Sequence, residues 1–261
     1  MIDIEEAQIE FMNHIDSLKL DNPRVEIKRW HTMRVAENCK KIAIELGLQE
    51  EQIELAELIG ILHDIGRFEQ YQIFDKNTNL KTLDVTKKFD HGREGVKVLK
   101  KDDYIRKYIK DDKYDQIIYT AILEHNQYEL SDGLSKEEEL FSKIIKDADK
   151  LDLMYEGVEV YWKTPEWIEK IEEGKLSEKI LESFYEQKLA DNRNRKDEID
   201  QILKIASFVY DINFKCSYEI IKENNYITKM IDRFNFKFTE TKDELEKVKN
   251  IANEYILEKT K

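Results

Sequence analysis

Two prolines and eight glycines in 261 residues leave this chain little with which to break a helix. Glycine and proline are the strongest local interrupters of regular structure, whereas Glu, Lys, Leu and Ile, all abundant here, carry low helical cost. After Gly174 neither breaker occurs. The expected fold class is therefore all-α: a helical bundle with a C-terminal helical extension. Spacing predicts helices over about Ile4–Leu18, Val25–Leu46 (stopped near Gly47), Glu50–Leu62, 92–101, 103–110, 113–126, 136–155 and 165–172. Residues 68–90, polar and with Asn77-Thr78-Asn79 inside, read as a loop with short helical pieces. The last third reads as about two to four helices joined by polar turns, such as Asp191-Asn192-Arg193-Asn194 and Asn224-Asn225.

Length and charge narrow the class further. A chain of 261 residues buries a sizeable core without disulfides or structural metals. Its net charge of −13 argues against a duplex nucleic acid partner, because phosphate contacts need clustered Lys and Arg. A local positive pocket for a small anion is still compatible with it. Cys39 and Cys216 form no CxxC pair and read as reduced thiols. The start, MIDIEEAQIEF, lacks a basic region followed by an apolar one, and no apolar run approaches the ~18 residues of a membrane span. The expectation is a cytoplasmic protein without a membrane partner. Oligomeric state is not readable, and a homo-oligomer is compatible with the sequence.

Against that background the histidines stand out. Four of the five follow one order, His31, His63-Asp64, His91 and His125, closed by Asp149 at intervals of 32, 28, 34 and 24 residues. Each extends an apolar helical stripe: His31 with Val35, Cys39 and Ile42; His63 with Leu55, Ile59 and Leu62; His91 with Gly95 and Val98; His125 with Ile118, Ala121 and Ile122; Asp149 with Ile145 and Ala148. A buried carboxylate such as Asp64 costs several kcal/mol unless it is paired or metal-bound. Imidazole with carboxylate suits divalent Fe, Mn, Co, Ni or Zn. His14, with nothing comparable around it, reads as a hydrogen-bonded packing residue.

The segments HTMRVAENCKKIA, GILHDIGRFEQ, FDHGREGVKVL, AILEHNQ and IIKDADKLD, covering roughly residues 25–160, resemble the HD-domain metal-dependent phosphohydrolase superfamily. The expected organisation is an HD-domain catalytic helical core over 1–176, with residues 177–261, which lie outside the resemblance, as C-terminal helices packed on it. It implies one divalent ion on His31, His63, Asp64 and Asp149, and a second on Asp64, His91 and His125. Two such ions supply a bridging hydroxide and a clamp for phosphoryl oxygens. The expected activity is hydrolysis of a phosphate ester or phosphoanhydride of a nucleotide or other small phosphorylated metabolite. Asp64 and Arg67, three residues on, are the catalytic candidates together with Lys150. Arg34, Arg67 and Lys150 are the candidates for holding substrate phosphate, and Asp152 is a candidate for orienting a ligand.

Subfamilies divide on motifs. No GYP triplet follows the third histidine, which counts against cyclic-di-GMP cleavage. The two middle histidines count against the alarmone hydrolases, which use one metal. Diadenosine tetraphosphate cleavage shares the ligand order, but in shorter chains. The alternative activity is a mixed-valence di-iron oxygenase of the same fold, which the ligand set alone does not separate from a hydrolase. A non-catalytic regulator is a third reading, disfavoured because such members lose ligands. The tail aromatics Phe208, Tyr210, Phe214, Tyr218 and Tyr226 read as packing or as a lid or dimer surface, in which Arg193 and Arg195 would reach an anion.

Overall fold

A computed structural model describes residues 2–76 and 89–261. Among them there is no strand, and helices connected by short turns make up the fold, as expected for an all-α HD-type chain. No helix of the described residues is long and apolar enough to cross a membrane. The chain divides into two compact units, Met1–Ala148 and Asp149–Lys261. The expected boundary at 176 thus lies inside the second unit.

The first unit contains α1 (Ile4–Ser17), α2 (Arg24–Glu45), α3 (Glu50–Leu62), α4 (Ile65–Lys76), α5 (His91–Lys100), α6 (Asp115–Glu124) and the start of α7 (Lys136–Glu159). A 3-10 segment, Lys101–Lys107, stands where the spacing predicts a helix over 103–110. Gly47, at φ +69°, ends α2 as expected. Its N–H donates to the Ile44 carbonyl and that of Leu48 to Ala43, a Schellman stop. The turn feeds α3, whose Gln49 and Gln52 form a reciprocal capping box. α3 is the centre of the unit: Leu55, Ala56, Leu58, Ile59, Ile61 and Leu62 are all buried, so the second half of the helix is covered on every side.

Three glycines set how closely the ligand-bearing helices approach. A Cβ on Gly60 would lie 2.5 Å from Ala36 Cα, so α2 and α3 touch backbone to backbone one turn from His31 and His63. A Cβ on Gly66 would lie 2.3 Å from the His91 carbonyl oxygen and 2.4 Å from Gly95 N, which presses α4 onto α5. A Cβ on Gly92 would lie 2.7 Å from the Ile122 carbonyl oxygen, which brings α5 to α6. No other residue type allows these approaches.

Two expectations are corrected here. Residues 65–76 form one helix, α4, rather than a loop with helical pieces, and the remainder of the expected loop (77–88) lies outside the described residues. The buried stripe of α5 is Gly92, Gly95, Val96 and Leu99, with Val98 only half-buried beside a 360 Å³ cavity lined by His14, Glu69 and Tyr104. His14 packs as expected, its Nδ1 3.2 Å from the Tyr104 hydroxyl.

The second unit holds the rest of α7, then α8 (Pro165–Glu172), α9 (Glu178–Tyr185), α10 (Asp200–Ala206), α11 (Lys215–Asn224), α12 (Tyr226–Asp232) and α13 (Thr239–Lys259). Among the described residues, the tail after 177 thus carries five α-helices where the sequence suggested about two to four. The expected turn at Asn224-Asn225 separates α11 from α12, with Asn225 in a left-handed conformation (φ 53°) that asparagine tolerates without glycine. Phe184, Tyr210, Tyr255 and Tyr218 form a chain of edge contacts with ring centroids 5.0–6.2 Å apart. Residues 149–176 join this unit through the Arg233 guanidinium, which donates to the Gly157 and Val158 carbonyls, and through Lys237 N, which donates to the Glu172 carbonyl.

Candidate metal centre

The helix ends aim the imidazoles. His63 is the C-cap of α3 and His125 the C-cap of α6. The last carbonyls of a helix lack intrahelical partners. The His63 ring donates from Nδ1 to the Gly60 carbonyl at 2.7 Å, and the His125 ring donates from Nδ1 to the Ile122 carbonyl at 2.6 Å. A carbonyl only accepts, so each Nδ1 carries the proton and each Nε2 presents a lone pair. His91 opens α5 behind the N-cap Asp90, whose side chain accepts from Arg93 N at 3.1 Å. His31 projects from the middle of α2 and is fully buried.

These rings converge on Asp64, which lies between α3 and α4 and is buried. Its Oδ2 is 3.7 Å from both His31 Nε2 and His63 Nε2. Its Oδ1 is 3.4 Å from His91 Nε2 and 3.9 Å from His125 Nε2. His91 and His125 Nε2 lie 3.0 Å apart. One carboxylate therefore faces two histidine pairs, one from each oxygen. The ligand atoms of His31, His63 and Asp64, and those of Asp64, His91 and His125, each fall within 4.8 Å of one another.

Basic residues complete the site. Arg67 Nη2 donates to His91 Nε2 at 3.0 Å, Nη1 donates to Gln70 Oε1 at 2.9 Å, and Nε is 3.6 Å from Asp64 Oδ1. Lys28 Nζ donates to Asp64 Oδ2 at 3.0 Å. Burial alone would raise the Asp64 pKa. The Lys28 ammonium and the Arg67 guanidinium outweigh burial and hold the carboxyl well below its ordinary range. Burial, reinforced by Arg67, pushes His91 well below its ordinary pKa against the pull of Asp64. Asp64 is thus charged and His91 neutral, the protonation states in which both bind metals.

The donor set fits divalent ions. Because Arg67 donates to His91 Nε2, that atom carries a lone pair rather than a proton, as does His125 Nε2 opposite it, and an ion bound at His91 would take the place of the Arg67 hydrogen bond. Two lone pairs at 3.0 Å repel unless a cation lies between them. Bonds of ~2.0–2.2 Å to one ion leave neighbouring donors ~3.0–3.5 Å apart, close to the spacings around Asp64.

A family model for the HD domain matches residues 30–154. The chain carries an HD domain. HD domains bind divalent metals, and the family consists in general of metal-dependent phosphohydrolases. No curated protein and no solved structure matches the chain.

Of the residues expected at the site, the structure brings together His31, His63, Asp64, His91, His125 and Arg67. Asp149 follows Ala148 on α7 as the first residue of the second unit and is half-buried. The Ala148 carbonyl accepts from Asn38 Nδ2 on α2 at 3.3 Å. Arg34 lies one turn beyond His31 on α2 and is half-buried. Lys150 is buried and pairs with Asp211 at 2.9 Å, both in the second unit. Asp152, also in that unit, is buried. Arg193 pairs with Asp191, and Arg195 with Glu198 at 3.5 Å.

Two residues at the cluster were not singled out in the sequence. Lys28 stands three before His31, a spacing that places both on neighbouring positions of one helix surface. Asn126 directly follows His125. Its amide nitrogen donates to Asp90 Oδ1 at 3.1 Å and lies 3.4 Å from His91 Nδ1, which links the α6 end to the α5 start.

Proposed function

We propose that this HD domain hydrolyses a phosphate ester or phosphoanhydride of a nucleotide or another small phosphorylated metabolite, using two divalent ions. The observation that carries the reading is Asp64: one buried carboxylate with its two oxygens turned toward two separate histidine pairs. His31, His63 and Asp64 Oδ2 would hold the first ion, with Asp149 as the fourth ligand that the family resemblance assigns. Asp64 Oδ1, His91 and His125 would hold the second. Such ions activate water and neutralise charge on a phosphoryl group.

Arg67 supports the phosphoryl reading. Its guanidinium is held by Gln70 beside the second triad, reaches His91 Nε2 where the second ion would bind, and its side chain is about one quarter exposed. A planar fork in that position binds phosphoryl oxygens and stabilises charge that builds on them. Of the basic residues considered for substrate, Arg67 is the one with this geometry. Lys150 has its charge committed to Asp211, and Arg34 stays in the proposal as a flanking contact.

The test joins elemental analysis to a panel of mononucleotides, cyclic dinucleotides, dinucleoside polyphosphates and sugar phosphates. The expected result is two ions per chain and metal-dependent release of phosphate or nucleotide. Asp64→Ala is expected to lose both ions and at least about 100-fold in turnover, more than the loss of an outer contact causes. Full metal content and turnover in that variant would overturn the two-ion reading. Turnover only with dioxygen, and with two irons, would replace hydrolysis by oxygenation.

A further inference from the structure

Each oxygen of Asp64 has a protein cation beside it, and the two cations differ in kind. Arg67, at Oδ1, is planar and is held at two other points, Gln70 Oε1 and His91 Nε2. Lys28, at Oδ2, is a compact charge on a flexible four-carbon stem. It reaches in from α2 one turn before His31, with its side chain 18% exposed against 4% for Asp64. Its ammonium is hydrogen-bonded to Oδ2, the oxygen that the His31 and His63 Nε2 atoms flank at 3.7 Å.

An ion held by His31, His63 and Oδ2 draws on the same oxygen. A protonated amine has no lone pair to offer a metal, and its charge repels a divalent cation at that distance. Without any cation, however, a carboxylate this deeply buried is strongly destabilising. The lysine and the ion therefore serve the same carboxylate in turn.

We propose that Lys28 is a displaceable counter-ion of the first metal site. It holds the charged Asp64 in place while the protein is metal-free, and it leaves Oδ2 when a divalent ion binds there. The flexible stem, held at Oδ2 by one hydrogen bond, lets the ammonium swing away, whereas Arg67 is fixed by Gln70 as well as at the cluster. The inference rests on the metal reading of the triad and is independent of the substrate.

The experiment uses the full chain, stripped with chelator and then titrated with Mn²⁺, as wild type, Lys28→Met and Lys28→Arg. Stripped Lys28→Met is expected to melt about 5–10 °C below stripped wild type, with Lys28→Arg recovering most of the difference. Calorimetric titration is expected to show Lys28→Met binding Mn²⁺ about tenfold tighter than wild type, because the competitor is gone. In wild type alone, labelling with an amine-reactive reagent followed by mass spectrometry is expected to show Lys28 several-fold more reactive once Mn²⁺ is added. That measurement decides the matter if Lys28→Met fails to fold. Unchanged or weaker Mn²⁺ affinity in Lys28→Met, or Lys28 labelling indifferent to Mn²⁺, overturns the proposal. Wild type that binds no Mn²⁺ overturns the metal reading and displacement together; wild type that binds it, beside an unaltered Lys28→Met, overturns the role of Lys28 alone.

Discussion

The two histidine pairs that share Asp64 sit in different surroundings. His31 and His63 are wholly enclosed, where α2 and α3 meet at Gly60. His91 is 12% exposed in its side chain, and its triad lies at helix ends: the start of α5 and the end of α6. Arg67 and Asn126 border that second triad, whereas the first has Lys28 on its carboxylate oxygen. Depth separates tasks. The enclosed pair is part of the core and belongs to stability as much as to chemistry. In the second pair His91 is the more exposed ring, and under the proposed hydrolysis a phosphoryl group would approach from its side; it is aligned by hydrogen bonds that can be removed without a cavity.

The sharpest way to break this contrast is to delete one histidine from each side. His63→Ala opens a cavity in the core and leaves the Gly60 carbonyl without its donor. It is expected to cost about 2–4 kcal/mol in chemical denaturation and to abolish the first ion. His91→Ala is expected to keep one ion per chain by elemental analysis and to lose far less stability, yet to be as inactive as His63→Ala. Equal stability loss in the two variants would erase the distinction.

A smaller effect sharpens it from the open side. Asn126→Ala removes the link between the α6 end and Asp90 while leaving every ligand in place. The second ion is expected to bind about 10–100-fold more weakly by calorimetry, with the first unchanged. Equal weakening of both would show that the triads are mechanically one unit.

Smallest of all should be a change that touches neither triad. Glu138, near the start of α7, accepts hydrogen bonds from Ser135, Thr120 and Gln116, which hold its pKa at about 2. Because the folded value lies below the ordinary one of 4.5, the stabilisation is complete above pH 4.5 and is lost as pH falls toward 2. Glu138→Gln is expected to flatten the stability profile in that acid window and to leave ion content at neutral pH untouched. A change in metal affinity would mean that the α7 start is coupled to the centre.

Much of this was legible in the residues, for identifiable reasons. Histidine is scarce here, so those on apolar stripes carried information, and His31, His63, His91 and His125 do meet at Asp64. Helix ends with strong signals matched closely, as at Glu50–Leu62 and Pro165–Glu172. α4 was hidden because one of its buried positions is a glutamine: Gln70 faces inward to hold Arg67, and a polar residue on the buried side breaks the apolar rhythm. Lys28 carries no signal of its own because lysine is common in this chain, and only the fold reveals that this one reaches a carboxylate. The tail helices are undercounted because the breaks at 207–214 and 233–238 contain neither glycine nor proline, whereas the expected Asn224-Asn225 turn is present.

The imidazoles of His63 and His125 finish their own helices by donating to the carbonyl three residues back. A redesigner wishing to change the preferred metal by exchanging either for cysteine or a carboxylate would therefore unpick a helix terminus in the same stroke. Anyone regrafting this centre onto another bundle has to transplant the final turn of each helix along with the ligand.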